Sequence, residues 1–502
     1  MRLLEPSVGD GSFVQALNRL NWKNDSEPVL TAIDLDINEL TKARQEWNFP
    51  SAKFTQCDFL SFNSNDKYAA VFGNPPYIRK NRLSKDQLDK CKYIHFSEQL
   101  SDKSIKNIWT SFVVKSTRML RDDGILSFVL PSELLQVKFA EEIRDFLLEH
   151  FEKLEIFTFS NLLFESIGQD TVALIAYKQS AEKGVFYSNI EFEEQLTKEN
   201  FTLERNDALI NSNFKWNHHS LRPHEIRLIE HLRTKLETIG HYCISKPGVV
   251  TAANGYFIIN EETATAYELT SYTVPIIQKG FFVNGSVVFD QRDYAELGKK
   301  NRPSKLIRFT DEDKETFSVK VREYLKIGED QKLPDRYKCK LRDNWFVIPN
   351  VSTESEGFFF KRSHHYPKLL KNSAGVFVTD SAYKIDMKDS FDINSLIYSF
   401  YNSLTLSFAE IEGRYYGGGV LELTPTEFRK LPLPYSVIGE ADFESFRREF
   451  EGKENIETIL EKNDFAILNE SLGLSATEIG VIRSIRKKLV NKRHRKILDP
   501  QS

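Results

Sequence analysis

An amide, two prolines and a phenol follow one another at Asn74-Pro75-Pro76-Tyr77, and that order suits one kind of chemistry. An amino group on an aromatic base is a weak nucleophile because its lone pair is delocalised into the ring. Two fixed acceptors at its N–H bonds, the Asn74 side-chain oxygen and the Pro75 carbonyl, orient it toward a methyl donor and favour the developing charge. Pro76 stiffens the turn and biases Pro75 away from the helical region. Tyr77 offers a wall against which an extruded base can stack. The structural alternative is a turn that merely leaves a strand. Arg79 and Lys80 follow at once and can meet phosphates beside an everted nucleotide. Phe164, in Asn161-Leu162-Leu163-Phe164-Glu165-Ser166, is a candidate for the opposing face of the pocket or for a core aromatic.

Three upstream elements can hold the donor. In Leu4-Glu5-Pro6-Ser7-Val8-Gly9-Asp10-Gly11-Ser12, Gly9 and Gly11 permit a tight turn in which the backbone approaches a ligand, ahead of a helix start that favours polar groups. It lacks the GxGxxG of a dinucleotide site and the Lys-Ser/Thr of a phosphate loop. Asp34 and Asp36 end the next strand, where an acid can accept two ribose hydroxyls or cap the following helix. In Cys57-Asp58-Phe59, Asp58 can accept from an adenine amino group while Phe59 covers the ring, or the pair is a loop acid beside a core aromatic.

The elements that must position these residues alternate along the chain. Arg2 to Leu4, Val29 to Asp34, Tyr68 to Phe72, Ile125 to Leu130, Leu154 to Phe159 and Thr171 to Tyr177 read as strands. Phe13 to Leu20, Asn38 to Trp47 and Ile105 to Leu120 read as helices, with Gly124 as a breaker. That rhythm predicts an α/β, Rossmann-like domain: a mostly parallel sheet covered by helices, with ligand loops at the carboxyl ends of its strands. It spans residues 1–185, with an interdomain region at 186–220. A mixed α+β domain is expected over 221–450, with strand candidates at Gly255 to Ile259, Thr273 to Ile277 and Val287 to Phe289. An α-rich, basic segment closes the chain at 451–502.

A length of 502 residues exceeds one ordinary core. With 40% apolar and 28% charged residues the chain reads as folded. Four scattered cysteines argue against a structural metal or disulfide framework. No apolar run approaches the length of a membrane span, and no basic leader precedes an apolar segment, so a cytoplasmic location is expected. A formal charge of −4 gives no global sign of a nucleic-acid partner but leaves room for a local basic surface. Arg483 to Lys496 is one such stretch, a phosphate-tracking tail or a solvated helix surface.

With Glu5-Pro6-Ser7, Gly9-Asp10-Gly11, Asp34, Asp58-Phe59 and Asn74-Pro75-Pro76-Tyr77 in this order, the chain resembles the class I N6-adenine DNA methyltransferases of restriction-modification systems. Within that group it is similar to the members whose catalytic domain precedes a target-recognition domain. The resemblance implies S-adenosylmethionine as cofactor. Glu5, Pro6, Gly9, Asp10 and Gly11 surround its methionine part, Asp34 with Asp36 beside it lies at the ribose, and Asp58 and Phe59 hold the adenine. Asn74 and Pro75 are then at the target amine, Tyr77 is stacked on the base, and Phe164 is the best local match for the second aromatic. It further implies duplex DNA as substrate, base flipping, and a functionally paired restriction endonuclease.

Thr251-Ala252-Ala253-Asn254-Gly255-Tyr256-Phe257 and Gly413-Arg414-Tyr415-Tyr416-Gly417-Gly418-Gly419 look like pieces of the family's DNA-binding region, with Asn254 and Arg414 as candidate contacts. Lys246, Lys279, Arg342, Lys361 and Arg362 are further candidates. One departure is that the family carries a segment before its first strand, whereas here the glycine motif begins almost at Met1. Methylation of RNA or of a protein glutamine, and a non-catalytic DNA-binding subunit, are the competing readings.

Overall fold

The computed structural model of the chain describes residues 1–20, 22, 27–159, 171–206, 215–216, 221–283, 285–349, 351, 353–416, 418–453 and 455–494. It divides into two compact units, Met1–Arg227 with His494–Ser502, and Leu228–Arg493.

In the first unit, neighbouring apolar residues of each strand face opposite cores. The first four strands are β1 (Arg2–Glu5), β2 (Val29–Asp34), β3 (Ala52–Gln56) and β4 (Tyr68–Gly73). Leu3, Ala32 and Phe72 join one core with Val14, Leu40 and Ala43, supplied by α1 (Ser12–Asn18) and α2 (Ile37–Glu46). Their chain neighbours Leu4, Ile33 and Val71 join the other, packed by α3 (Lys85–Phe96), α4 (Trp109–Met119), α5 (Glu133–Gln136) and α6 (Glu141–His150). Side chains alternate with period two, so a strand covered on both faces must be apolar almost throughout.

The remaining strands are β5 (Leu120–Pro131), β6 (Lys153–Phe159), β7 (Thr171–Tyr177), β8 (Gly184–Ile190) and β9 (Glu204–Arg205). The sheet runs β3-β2-β1-β4-β5-β7-β6-β8-β9. β1 to β5 pair in parallel, whereas β7 runs antiparallel to both β5 and β6. Strand order reverses at β1, which lies between β2 and β4. A crevice therefore opens at the carboxyl ends of β1 and β4, where open α/β sheets take their ligands. This is the α/β architecture expected from the sequence.

Two boundaries differ from the sequence reading. Helix α4 starts at Trp109 rather than Ile105. The segment before it pairs with the loop after β4: the Lys80 amide donates to the Lys106 carbonyl at 2.9 Å, and the Ile108 amide to the Ile78 carbonyl at 2.9 Å. Backbone groups so committed cannot serve a helix. Gly124 lies inside β5 rather than before it, buried at the end of a bulge whose residues Arg121 to Asp123 are exposed, between the pairs Tyr68 to Leu120 and Ala70 to Ile125.

The second unit is mixed α+β with helices concentrated at its end, as expected. A five-stranded sheet takes the order Cys243–Pro247, Ala382–Met387, Gly357–Phe360, Lys368–Asn372, Val288–Phe289. A four-stranded sheet contains Ile258–Ile259, Lys305–Ile307, Thr273–Ile277 and Phe377–Val378. The predicted strand Gly255 to Ile259 is instead a helical turn, Asn254–Phe257, followed by a two-residue strand. The Ala253 carbonyl accepts from the Tyr256 and Phe257 amides and closes that turn.

The basic stretch does not behave as a solvated tail. On the helix Ala476–His494, Arg486 and Arg493 are buried. Arg483 donates to the buried Asp464 at 2.7 Å, and Arg486 pairs with Glu457. Arg493 grips both oxygens of the buried Glu410, at 2.8 and 2.9 Å. Arg495 and Lys496 lie outside the described residues. No helix among the described residues is long and apolar enough to cross a membrane.

Candidate functional site

The loops leaving β1 and β4 meet at the reversal point. β1 and β4 are paired at Leu4 and Val71, which brings Glu5 beside Gly73. Gly73 has φ +143°, and a Cβ there would lie 3.5 Å from Glu5 Cγ. That contact would be an ordinary one, so it is the positive φ, which L side chains rarely adopt, that calls for glycine where the chain turns into Asn74.

Glu5 is fully buried, and neither carboxylate oxygen has a hydrogen-bond partner among the described residues. Burial, with Asp10 and Asp34 nearby, pushes its carboxyl well above the usual carboxylate range. The Asn74 side-chain oxygen is likewise buried and unpartnered. An unmet buried acceptor costs about 1–3 kcal/mol, so two at adjacent strand ends mark a place prepared for donors.

The glycine turn is braced rather than loose. Asp34 accepts from the Gly9 amide through one oxygen and from the Asp36 amide through the other, both at 2.9 Å. Gly9 and Gly11 have φ +52° and +84°, and a Cβ on Gly11 would come within 3.0 Å of Ala43 Cα. Asp10 accepts from the Ser12 amide and hydroxyl, which holds its carboxyl below the usual range. Asp36 caps α2 through the Asn38 amide at 2.8 Å. Each of these carboxyl groups keeps spare lone pairs after these bonds.

Asp58 caps the short turn Phe59–Ser61 by accepting from the Leu60 amide at 2.9 Å, and Lys90 lies 3.7 Å from its other oxygen. Phe59 is 2% exposed and packs on Phe112 with ring centroids 4.9 Å apart. Lys115 was not legible as a site residue, because on its own it is an ordinary helix cation. It stands 5.2 Å over the Phe59 ring and donates to the Leu60 carbonyl at 2.9 Å. Burial brings its pKa down to about 8.

The Asn-Pro-Pro-Tyr loop is held at both ends. The Ser7 hydroxyl donates to the Asn74 carbonyl at 3.0 Å, tying the glycine turn to the loop. The Tyr77 hydroxyl donates to the Val129 carbonyl of β5 at 2.9 Å, and its ring packs against the core. Pro75 is buried and Pro76 half-buried between them. Arg79 is exposed and Lys80 half-buried, and neither has an ion-pair partner among the described residues. Glu5, Asp34, Ser7 and Asn74 are thereby drawn together, whereas Phe164 lies outside the described residues.

In the second unit, Asn254 accepts from the Thr251 hydroxyl. Arg342, a candidate contact, is turned inward: it donates to the Thr251 carbonyl at 2.8 Å and stacks on Phe257. Arg414 is paired with Glu427 at 3.0 Å, and Arg362 with Glu422.

The acceptor-rich crevice fits a group carrying an ammonium and an amine, as S-adenosylmethionine does. Comparison with known proteins agrees with the fold. Residues 213–468 match the C-terminal domain of the type II methyltransferase M.Eco57I, and residues 14–164 match the Eco57I restriction-modification methylase. The chain is similar to the type II methyltransferase M.AccI of Acinetobacter calcoaceticus, with 21% identity over 451 residues, 85% of this chain and 80% of that protein. It is 29% identical over 185 residues to the type II restriction enzyme and methyltransferase RM.Eco57I of Escherichia coli, covering 34% of this chain and 17% of that protein. In fold it is similar to the type IIL restriction-modification enzyme MmeI, solved in complex with DNA, with a TM-score of 0.65 and 12% identity over 98% of this chain and 73% of that one. With half of its residues inside the first of these families and most of its first unit inside the second, the chain belongs to the Eco57I family of restriction-modification methyltransferases, built on the S-adenosylmethionine-dependent fold.

Proposed function

We propose that this protein methylates N6 of adenine within a specific sequence of duplex DNA, as the modification activity of a restriction-modification system with a cognate nuclease. The observation that carries this reading is the buried, unpartnered Asn74 oxygen beside the buried, unpartnered Glu5 carboxylate. Glu5 would hold the cofactor's ammonium, and Asp34 and Asp58 its ribose and adenine. S-adenosylmethionine supplies, when bound, an electrophilic methyl group.

The chain's own part is to bind, orient and exclude water. Asn74 and the Pro75 carbonyl accept the two N–H bonds of the amine and turn its lone pair out of conjugation. A base inside a duplex cannot reach a loop at a strand end, so the adenine must leave the helix, with Tyr77 as the surface it lies against. Arg79 and Lys80 are placed to neutralise phosphates flanking it. Target selection falls to the second unit, and the similarity to the type II methyltransferase M.AccI extends over 85% of the chain rather than over the first unit alone.

Tritiated S-adenosylmethionine offered with matched DNA, RNA and protein substrates tests the reading. Label is expected in DNA as N6-methyladenine, and label confined to RNA or to protein glutamine would overturn it.

Glu5 adds a pH dependence. Its carboxyl is raised in the free protein, and a bound ammonium favours the ionised form, so binding releases a proton. Cofactor affinity is therefore expected to fall with decreasing pH, beginning above the usual carboxylate range. Glu5→Gln keeps the shape, removes the charge, and should weaken binding about ten- to a hundredfold while flattening that dependence. Calorimetry across pH reads both effects, and an unaltered profile would exclude Glu5 as the ammonium's partner.

A further inference from the structure

Lys115 is a half-buried cation that the proposed reaction leaves without a part, and it lies on an element that touches both ends of the site. Helix α4 begins against the catalytic loop. The Ile108 amide, at its N-terminal cap, donates at 2.9 Å to the carbonyl of Ile78, the residue after Tyr77. One turn on, Phe112 packs on Phe59, and a further turn on, the Lys115 ammonium stands 5.2 Å over the same ring. Ile108 and Lys115 are about 10 Å apart along the helix axis. The helix is therefore a strut between the loop that holds the target amine and the turn that carries Asp58 and Phe59.

The turn at the far end of this strut is too short to keep its own shape. Phe59–Ser61 is a single 3₁₀ turn, and so brief a helical piece takes its geometry from what is bonded and packed onto it. Its backbone bonds use the Asp58 carbonyl, which accepts from the Ser61 and Phe62 amides at 2.9 and 3.1 Å, and the Phe59 carbonyl, which accepts from Phe62 at 3.1 Å. The Leu60 carbonyl is met from outside the turn, by the Lys115 ammonium at 2.9 Å. The amide of the same residue donates to Asp58 at 2.9 Å. Leu60 is thus gripped from both sides, by the lysine at its carbonyl and by the carboxylate at its amide. Bonds with one charged partner are roughly twice as strong as neutral ones. Lys90 lies 3.7 Å from the other Asp58 oxygen and pairs with Asp86, so Asp58 keeps lone pairs for a ligand.

We propose that Lys115 is a positioning residue for the cofactor's adenine, which through the Leu60 carbonyl sets the direction in which Asp58 presents its free oxygen to the exocyclic amine. The proposal rests on the reading that Asp58 takes that amine. What the role requires is the charged donor rather than the stem lying on Phe59. The charged and titratable groups facing the ammonium are Asp58 and Cys57 from the chain entering the turn, Lys90 from α3, and Arg118 from its own helix. Burial brings the Lys115 pKa down to about 8, so the charge is present below that value and is lost as pH rises through it. The Cys57 thiol is pushed the other way by burial and stays protonated there.

The test compares, by calorimetry on the full chain, S-adenosylmethionine with the analogue in which purine replaces adenine and only the exocyclic amine is missing. The unaltered protein should prefer S-adenosylmethionine by about ten- to a hundredfold, the worth of a hydrogen bond to a charged group. Lys115→Met keeps the stem and removes the donor. It should lose about tenfold in affinity for S-adenosylmethionine and stay within a few-fold for the purine analogue. Lys115→Arg keeps charge and donor and should restore the preference, whereas a lysine serving only the core would, when replaced, weaken both ligands alike. A second reading needs no variant. The ratio of the two affinities cancels the titration of their common methionine part, and in the unaltered protein it should fall as pH rises through about 8. Equal weakening of both ligands in Lys115→Met, or a ratio that stays flat across that pH, overturns the role of Lys115 and leaves Asp58 at the adenine. Equal affinity of the unaltered protein for the two ligands removes Asp58 from the amine, and Lys115 with it.

Discussion

Asn74→Ala is expected to lower the rate of methyl transfer by about 10²- to 10³-fold, the usual effect of deleting one preorganised hydrogen-bonding group at a reacting centre. The substitution removes an oxygen that is buried and has no partner among the described residues, so no bond among them is broken. The loop keeps its shape because its two ties are elsewhere. Ser7 holds the Asn74 backbone carbonyl, which alanine retains, and the Tyr77 hydroxyl holds β5 at Val129. The loss should therefore appear in single-turnover rate, with cofactor and DNA affinities within a few-fold of the unaltered protein. A variant with unchanged single-turnover rate would remove Asn74 from the reaction. Asn74→Asp, which keeps an acceptor at the same place but sets a second acid beside Glu5, should fall between the two.

Arg493→Ala is expected to destabilise the second unit by about 3–5 kcal/mol, the range for stripping one partner from a buried ion pair. The Arg493 side chain is 0% exposed and that of Glu410 3%. The guanidinium also donates to the carbonyls of His364, His365 and Gly419, so its removal takes the charge partner from a buried carboxylate and one donor from each of three backbone carbonyls. Urea denaturation followed by circular dichroism reads the loss, and a change under 1 kcal/mol would contradict it. Replacing both charges, with Arg493→Met and Glu410→Leu, removes the uncompensated carboxylate. It does not restore the donors lost to the three carbonyls, so recovery should be partial. The same comparison distinguishes a structural arginine from a phosphate contact, since only the latter would alter the salt dependence of DNA binding.

Parallel strands buried on both faces must be apolar at nearly every position, which is why β1, β2 and β4 were legible as runs such as Val29 to Asp34. Ligand loops follow the carboxyl ends of such strands, so Gly9, Asp34 and Asn74 could be assigned to one site from their order alone. Local pattern also carried the closing helix, observed at Ala476–His494. It failed where backbone partners are distant, as when the Lys106 carbonyl and the Ile108 amide bonded to the loop at 78–80 rather than within a helix.

By itself the sequence determined the kinds and succession of the elements, the acceptor chemistry of Asn74-Pro75 and the glycines that let the chain turn sharply after β1. Only the tertiary structure decided that Glu5 is buried without a partner among the described residues, that Ser7 ties itself to a carbonyl 67 residues away, and that Arg493 faces a glutamate 83 residues away instead of solvent. Hydrophobic periodicity reports which face of an element is covered, because that depends on residues three or four apart, or two apart in a strand. Whether a charge is paired, and whether an acceptor is met, depends on which distant segment folds against it.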